Sequence, residues 1–312
     1  MSNSRESIWD SSNEARLLES RLAGFWNPDY FQRVILPLLS LRPGARVLDV
    51  GSGTGSFTLL LAQLLPKIRV VGLDVTSRLV REAQAKAQEM DLENVEFREG
   101  DALHLPFPSD AFDAAVCQTV LAYLTDPAGV VREMSRVLLG GGIFLAAEYH
   151  TLNAEWPIDP ERMDVTDGEA VESTQYTRML IRGFRNSGQG DLRMGGKVAF
   201  LAQQAGLEVI DVRINDRVLH AFPPYASAAQ QAARAEARAC VATYADAQWR
   251  AWVASAMTAG GGTLSDVDKF LSLLPNRQRD ALSAERGADY SFIWLLNPVL
   301  LVTIARKPLA GG

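Results

Sequence analysis

The chain has 312 residues, of which 47% are hydrophobic and 22% charged, an ordinary globular mixture with enough apolar material for a sizeable core. Its formal net charge of -6 and the lack of any basic stripe argue against nucleic acid or an anionic membrane as partner, since both require clustered Lys and Arg. No run approaches the ~18 apolar residues of a membrane span and Met1 to Asp10 has no apolar signal core, so a cytoplasmic protein is expected.

Residues 1 to about 20 are polar, and Phe25-Trp26-Asn27-Pro28-Asp29-Tyr30-Phe31 then concentrates aromatics ahead of a helical pattern at Val34, Ile35, Leu38 and Leu39. This arm, residues 1–42, reads as a hydrophobic staple or as a lid. Arg46 to Val50 predicts a buried strand and Ser56 to Leu65 a helix stopped by Pro66. A second strand, Arg69 to Asp74, precedes a helix that Thr76 can cap, with Leu79, Val80, Ala83, Ala87 and Met90 at helical spacing. Asn94 to Phe97 predicts a third strand and Ala111 to Cys117 a fourth; Asp126-Pro127 is a helix start.

That helix is expected to end at Gly140-Gly141-Gly142, before a fifth strand at Ile143 to Ala147. A helix at Gly195 to Ala205, a sixth strand at Leu207 to Ile214 and a last one at Val299 to Ala305 complete an alternation that implies a parallel α/β sheet. Two segments interrupt it, at about 150–193 and 215–297, and read as cap insertions into a domain spanning 43–312. The second is largely helical, with an alanine-rich stretch from Ala226 to Met257. Cys117 and Cys240 show no CxxC or Cys-His spacing, so neither a zinc site nor a disulfide framework is expected, and no metal.

The chemistry centres on Val47-Leu48-Asp49-Val50-Gly51-Ser52-Gly53-Thr54-Gly55-Ser56, a strand, a glycine turn and a helix start. Such a turn lets a ligand approach the backbone and offers it free amide hydrogens. Asp49, Asp74 and Asp101 stand at three successive strand ends, where open parallel sheets bind ligands. Any one of them alone reads as a helix cap or solvated loop residue; together, beside the glycine loop, they favour one ligand touching all three. A nicotinamide dinucleotide asks for Gly-x-Gly-x-x-Gly or Ala, and the last position here is Ser56.

The segment Val47 to Gly55, Gly72-Leu73-Asp74 and Glu99-Gly100-Asp101-Ala102 resembles the successive motifs of the class I S-adenosylmethionine-dependent methyltransferases. Leu105-Pro106-Phe107-Pro108, Phe112-Asp113 and Val137-Leu138 with the glycine triplet resemble landmarks of their small-molecule branch, which includes quinone-biosynthesis enzymes. The resemblance covers 43–148 well and 194–214 less well. It implies a Rossmann-like, doubly wound, seven-stranded, mostly parallel sheet with the last strand antiparallel, carrying a helical cap from the arm and the insertions. It also implies that Asp49 and the backbone of Gly51, Ser52, Gly53, Thr54 and Gly55 hold the methionine part of S-adenosyl-L-methionine, and Asp74 the ribose hydroxyls. Val75 would pack on the adenine, Asp101 and Ala102 would meet its amino side, and Gln118 would lie near the methionine end.

Methyl transfer from a sulfonium needs an acceptor aligned within about 3–3.5 Å, dry surroundings and sometimes a base. Candidates for that base are Glu148 and His150, leaving the fifth strand, and Tyr123, which stands where the family commonly presents a histidine. Phe25, Trp26, Tyr30, Trp156 and Tyr176 are candidate walls for a small hydrophobic or aromatic acceptor, or else glue for the cap. A homodimer is allowed, since the cap can cover its own pocket or pair with another subunit. The competing readings are a nucleotide-dependent oxidoreductase and a noncatalytic cofactor-binding protein.

Overall fold

The computed structural model describes residues 26–150, 166–216, 218–221, 224–228, 230–235, 247–272, 292–295 and 299–309. The chain divides into two compact units: Met1–Tyr149 with Met194–Asp216 and Leu300–Gly312, and His150–Arg193 with Arg217–Val299. Phe25 and Trp156 lie outside the described residues.

The first unit is an α/β sheet. Its strands are β1 (Arg46–Val50), β2 (Arg69–Asp74), β3 (Val95–Glu99), β4 (Phe112–Gln118), β5 (Leu138–His150), β6 (Glu208–Ile214) and β9 (Val299–Arg306), in the order β3-β2-β1-β4-β5-β9-β6. β1 pairs in parallel with β2 and β4, β2 with β3, and β4 with β5, whereas β9 runs antiparallel to β6. The seven-stranded, mostly parallel sheet expected from the sequence is therefore present. Val47, Leu48 and Val50, Val70 and Val71, and Ala114 to Cys117 are all buried, which is why these strands read as unbroken apolar runs. Strand order reverses between β1 and β4, the place where such sheets bind their ligands.

The helices α1 (Ser56–Leu64), α2 (Ser77–Glu89), α3 (Pro127–Val137) and, later, α5 (Gly195–Gln204) connect these strands. Asp126 caps α3 as its sequence announces, its Oδ1 accepting the Gly129 N–H at 2.8 Å. Thr76 occupies the N-cap of α2 but its side chain makes no cap bond; the Asp74 carboxylate accepts the Thr76 N–H instead, at 2.9 Å. The glycine triplet departs from expectation. Helix α3 ends at Val137 and Gly140-Gly141-Gly142 lies inside β5, in a bulge where Phe112 pairs with Leu138 and Ala114 with Ile143. Gly141 donates its N–H to Lys307 beyond β9 and Gly142 accepts the Lys307 N–H, a long-range pairing that local glycine content does not reveal.

Ahead of β1, Phe31–Ile35 and Leu36–Leu39 form a π turn and a 3-10 turn, respectively looser and tighter than the single α-helix expected. Trp26, Phe31 and Phe57 of α1 make one aromatic cluster, with ring centroids 5.1 to 6.4 Å apart.

In the second unit, α4 (Asp167–Asn186) packs on α6 (Ala247–Ala259) around Tyr176, Val253, Met257, Val267 and Phe270. A Cβ on Gly183 would stand 1.5 Å from the Ala256 carbonyl oxygen, so the two backbones approach as closely as they do only because the residue is glycine. Arg182 and Asn186 donate to the carbonyls of Gly260 and Ala259 at the end of α6, at 3.1 and 2.9 Å. β7 (Val218–Ala221) and β8 (Phe292–Leu295) pair antiparallel as a separate ribbon. Among the described residues no helix is long and apolar enough to cross a membrane.

Candidate active site

A cavity of about 220 Å³ opens at the carboxyl ends of β1 to β4. One side is the glycine loop and the ends of β2 and β3: Gly51, Gly53, Thr54, Leu73, Asp74, Val75, Gly100, Asp101 and Ala102. The other is the end of β4 and the turn after it: Gln118, Thr119, Val120, Tyr123 and Leu124. The cofactor candidates Gly51, Gly53, Asp74, Val75, Asp101, Ala102 and Gln118 thus meet at one place.

Gly51 shows why its position tolerates no side chain. Its φ is +74°, and a Cβ there would stand 2.5 Å from Val120 Cγ2. The glycine loop and the turn after β4 are therefore pressed together at the floor of the cavity. Asp74 fastens the same loop from the other side, its Oδ2 accepting the Gly53 N–H at 2.9 Å while Oδ1 holds Thr76. Val75 beside it is 69% exposed, an apolar side chain left facing open space on a cavity wall. Asp101 accepts the Leu103 N–H at 2.9 Å and faces His104 Nδ1 at 3.2 Å; the Leu103 bond foremost, with His104 adding, holds its carboxyl below the usual range.

Asp49, Ser52 and Gly55 do not line the cavity. Asp49 is 1% exposed and accepts the Thr58 hydroxyl at 2.6 Å. Burial, only partly offset by Thr58 and reinforced by the charge of Asp74, pushes its carboxyl up to about 7. The hydroxyls of Ser52 and Thr54 are buried without a hydrogen-bond partner, and that of Thr54 belongs to a residue of the cavity lining. Buried orphan hydroxyls in a loop otherwise well bonded are a sign that a polar ligand completes it.

Of the candidate bases, Tyr123 borders the cavity, with its ring edge-on to Tyr149 at 6.1 Å. Glu148 does not face open space: it is fully buried, with both oxygens bonded to backbone amides. His150 lies two residues further along β5, its Nδ1 buried without a partner. Among the acceptor-wall candidates, Trp26 is buried and donates its indole N–H to Gln118 Oε1 at 2.7 Å, Tyr30 donates its hydroxyl to the Ile214 carbonyl at 3.0 Å, and Tyr176 sits in the core of the second unit. The sequence reading missed Thr119 and Val120, and it took Thr54 for its backbone alone. Thr119, with φ +55°, follows directly on a strand end at the reversal point of the sheet, which is the signal that marks it.

Residues 41–183 match a methyltransferase-domain family. The uncharacterised methyltransferase YcgJ of Bacillus subtilis is 37% identical over 115 residues, covering 37% of this chain and 43% of that protein. The demethylmenaquinone methyltransferase of Listeria welshimeri is 35% identical over 113 residues, 36% of this chain and 48% of that one. The chain thus spans about half the length of the curated relatives it matches. The solved structure of YcgJ superposes with a TM-score of 0.50 at 22% identity, over 90% of this chain and 99% of that one. A putative methyltransferase from Bacillus halodurans gives 0.52 at 18% identity, over 89% and 98%. These two likenesses concern the fold. Neither the oxidoreductase nor the noncatalytic reading draws support from the matches. Residues 41–183, with their glycine loop and sheet order, thus form a segment similar to the methyltransferase domain of the class I S-adenosylmethionine-dependent methyltransferases.

Proposed function

We propose that this protein transfers a methyl group from S-adenosylmethionine to a small hydrophobic or aromatic metabolite by direct in-line displacement, with S-adenosylhomocysteine as the product. The observation that carries the reading is one cavity whose wall joins the glycine-loop backbone, Asp74, the solvent-facing Val75 and the unpartnered Thr54 hydroxyl. The bound cofactor supplies an already activated methyl group on a cationic sulfur. The protein's own task is then to bind, orient and keep water away.

In this reading the Asp74 carboxylate, now bonded to the amides of Gly53 and Thr76, takes the two ribose hydroxyls, as an acceptor-only group is suited to do. Val75 offers the apolar surface on which adenine packs, with Asp101 and Ala102 at its amino edge. Gly51, Gly53, Thr54 and Gln118 serve the methionine end, and Asp49, Ser52 and Gly55 shape the loop from behind. Asp49 thereby acts through Thr58 and the strand end instead of touching the methionine part directly.

The acceptor class is supported by the apolar side of the cavity formed by Val120, Tyr123 and Leu124, and by a relative named for demethylmenaquinone. Of the three candidate bases we assign Tyr123 to the acceptor and withdraw that role from Glu148. No nucleic-acid partner is proposed, and a cytoplasmic homodimer is compatible with the reading.

Calorimetric titration with S-adenosylhomocysteine tests it: micromolar affinity that is lost in Asp74→Ala is the expected result, and NADH binding without it sinks the proposal. Incubating labelled donor with a metabolite extract and identifying the labelled product by mass spectrometry then names the acceptor.

A further inference from the structure

The turn after β4 forms one wall of the cavity, yet little in its own sequence holds it. Leu121–Tyr123 is a single 3-10 turn, too short to satisfy its leading amides internally, and Leu121 and Ala122 are fully buried, away from water. The chain enters it through Thr119 at φ +55°, a conformation that a β-branched residue adopts only when its surroundings impose it.

What meets those amides is Glu148. Its Oε1 accepts the N–H groups of Val120 at 2.9 Å and Leu121 at 2.8 Å, and its Oε2 accepts that of Ala122 at 3.1 Å. One carboxylate at the end of β5 thus satisfies three consecutive donors of a neighbouring turn. Charge-assisted bonds of this type are about twice as strong as neutral ones. Val120 in turn abuts Gly51 of the glycine loop so closely that no Cβ fits between them.

We propose that Glu148 is a positioning residue which, without touching the ligand, holds Val120, Tyr123 and Leu124 in place as the cavity wall and presses Val120 against the glycine loop. The inference rests on the methyltransferase reading only for the identity of the ligand used to probe the cavity.

The grip depends on charge, because a protonated carboxyl would point a hydrogen at one of three donors. Burial pushes the Glu148 carboxyl up and the three amides pull it back, leaving it at about 7. The titratable groups around it are Cys117 on β4, with Sγ 4.0 Å from Oε1, Asp49 on β1 beyond that thiol, Tyr149 and His150 on its own strand, and Tyr123 on the turn it holds. The Cys117 thiol, raised well above its usual value by burial first and then by Glu148 and Asp49, stays neutral throughout the relevant range. The hold on the turn should therefore strengthen as pH rises through about 7.

The test compares the full chain with Glu148→Gln, a substitution that keeps the shape but turns an NH2 toward one of the three donors. Amide hydrogen exchange is read over Val120–Ala122, and S-adenosylhomocysteine is titrated at pH 6 and pH 8. We expect exchange at these amides to speed up at least about tenfold in the variant, and affinity at pH 8 to fall by a similar factor, each consistent with losing a charge-assisted bond. We also expect the wild-type affinity to rise severalfold from pH 6 to pH 8 and the variant to keep only the part owed to Asp49. Equal exchange in the two proteins, or an unchanged pH slope, overturns the proposal. Should the variant fail to fold, exchange of the wild-type turn at the two pH values, corrected for intrinsic rates, decides alone: no extra loosening at pH 6 overturns it. If the wild type binds no S-adenosylhomocysteine, the methyltransferase reading fails, and the exchange data still decide whether Glu148 holds the turn.

Discussion

Four carboxylates end strands around the same cavity, and they divide into two pairs. Asp74 and Asp101, closing β2 and following β3, line the cavity, while Asp49 and Glu148, on β1 and β5, are buried behind it with their oxygens given to a hydroxyl or to backbone amides. Asp101 is held below the usual carboxylate range by a backbone N–H, whereas Asp49 and Glu148 are pushed up to about 7 because burial outweighs their hydrogen bonds. A strand-end acid is thus either a ligand contact or a piece of frame, and the depth of the strand end in the sheet decides which. The outer strands leave their ends at the cavity mouth; the inner ones bury theirs.

The largest expected effect that would break this division is on stability. Asp49 is protonated more readily folded than unfolded, since its pKa rises from 3.8 to about 7. Its contribution is therefore fully present below about 4 and is lost as pH rises through 7, a change on the order of 4 kcal/mol. Asp49→Asn should remove that slope, so urea denaturation at pH 5 and pH 8 ought to differ less in the variant than in the wild type. A variant with an undiminished slope would place Asp49 among the solvated, ligand-side acids.

Asp74→Ala comes next. Losing charged hydrogen bonds to a ligand costs about 1.5–3 kcal/mol, or roughly 10- to 100-fold in S-adenosylhomocysteine affinity by calorimetry, alongside a lower denaturation midpoint because the Gly53 and Thr76 amides lose their acceptor. Frame and ligand acids would be interchangeable if stability fell while the affinity stayed unchanged. Thr54→Val is expected to cost about 1 kcal/mol of that affinity while leaving the ligand-free protein as stable or more so, because the buried hydroxyl has no partner in the free state. Smallest is Asp101→Asn, about two- to fivefold weaker binding, since Asn keeps an oxygen for the Leu103 amide and the site is open to solvent.

Much of this was legible locally. A branched apolar run, three alternating glycines and a helix start announce the loop after β1; Asp74 and Asp101 follow from strand ends; Asp126-Pro127 states its own cap. Each is a relation among neighbours in the chain, where propensity and turn chemistry act directly. The assignment of Glu148 as a base for the acceptor shows the limit. Position at the end of β5 was readable, but its partners, Val120 to Ala122, are 26 to 28 residues away and make the side chain part of the frame.

The sequence by itself determined the fold class, the place of the glycine loop and the order of the acids, because alternating apolar runs admit few ways of burying their faces. Only the tertiary structure decided that Gly140 to Gly142 widen a strand paired with Lys307 instead of ending a helix, that Gly183 lets two helices touch backbone to backbone, and that two of four acids face inward. Those outcomes depend on contacts between distant segments, where a residue's environment is set by whatever the fold packs against it and not by its neighbours in the chain.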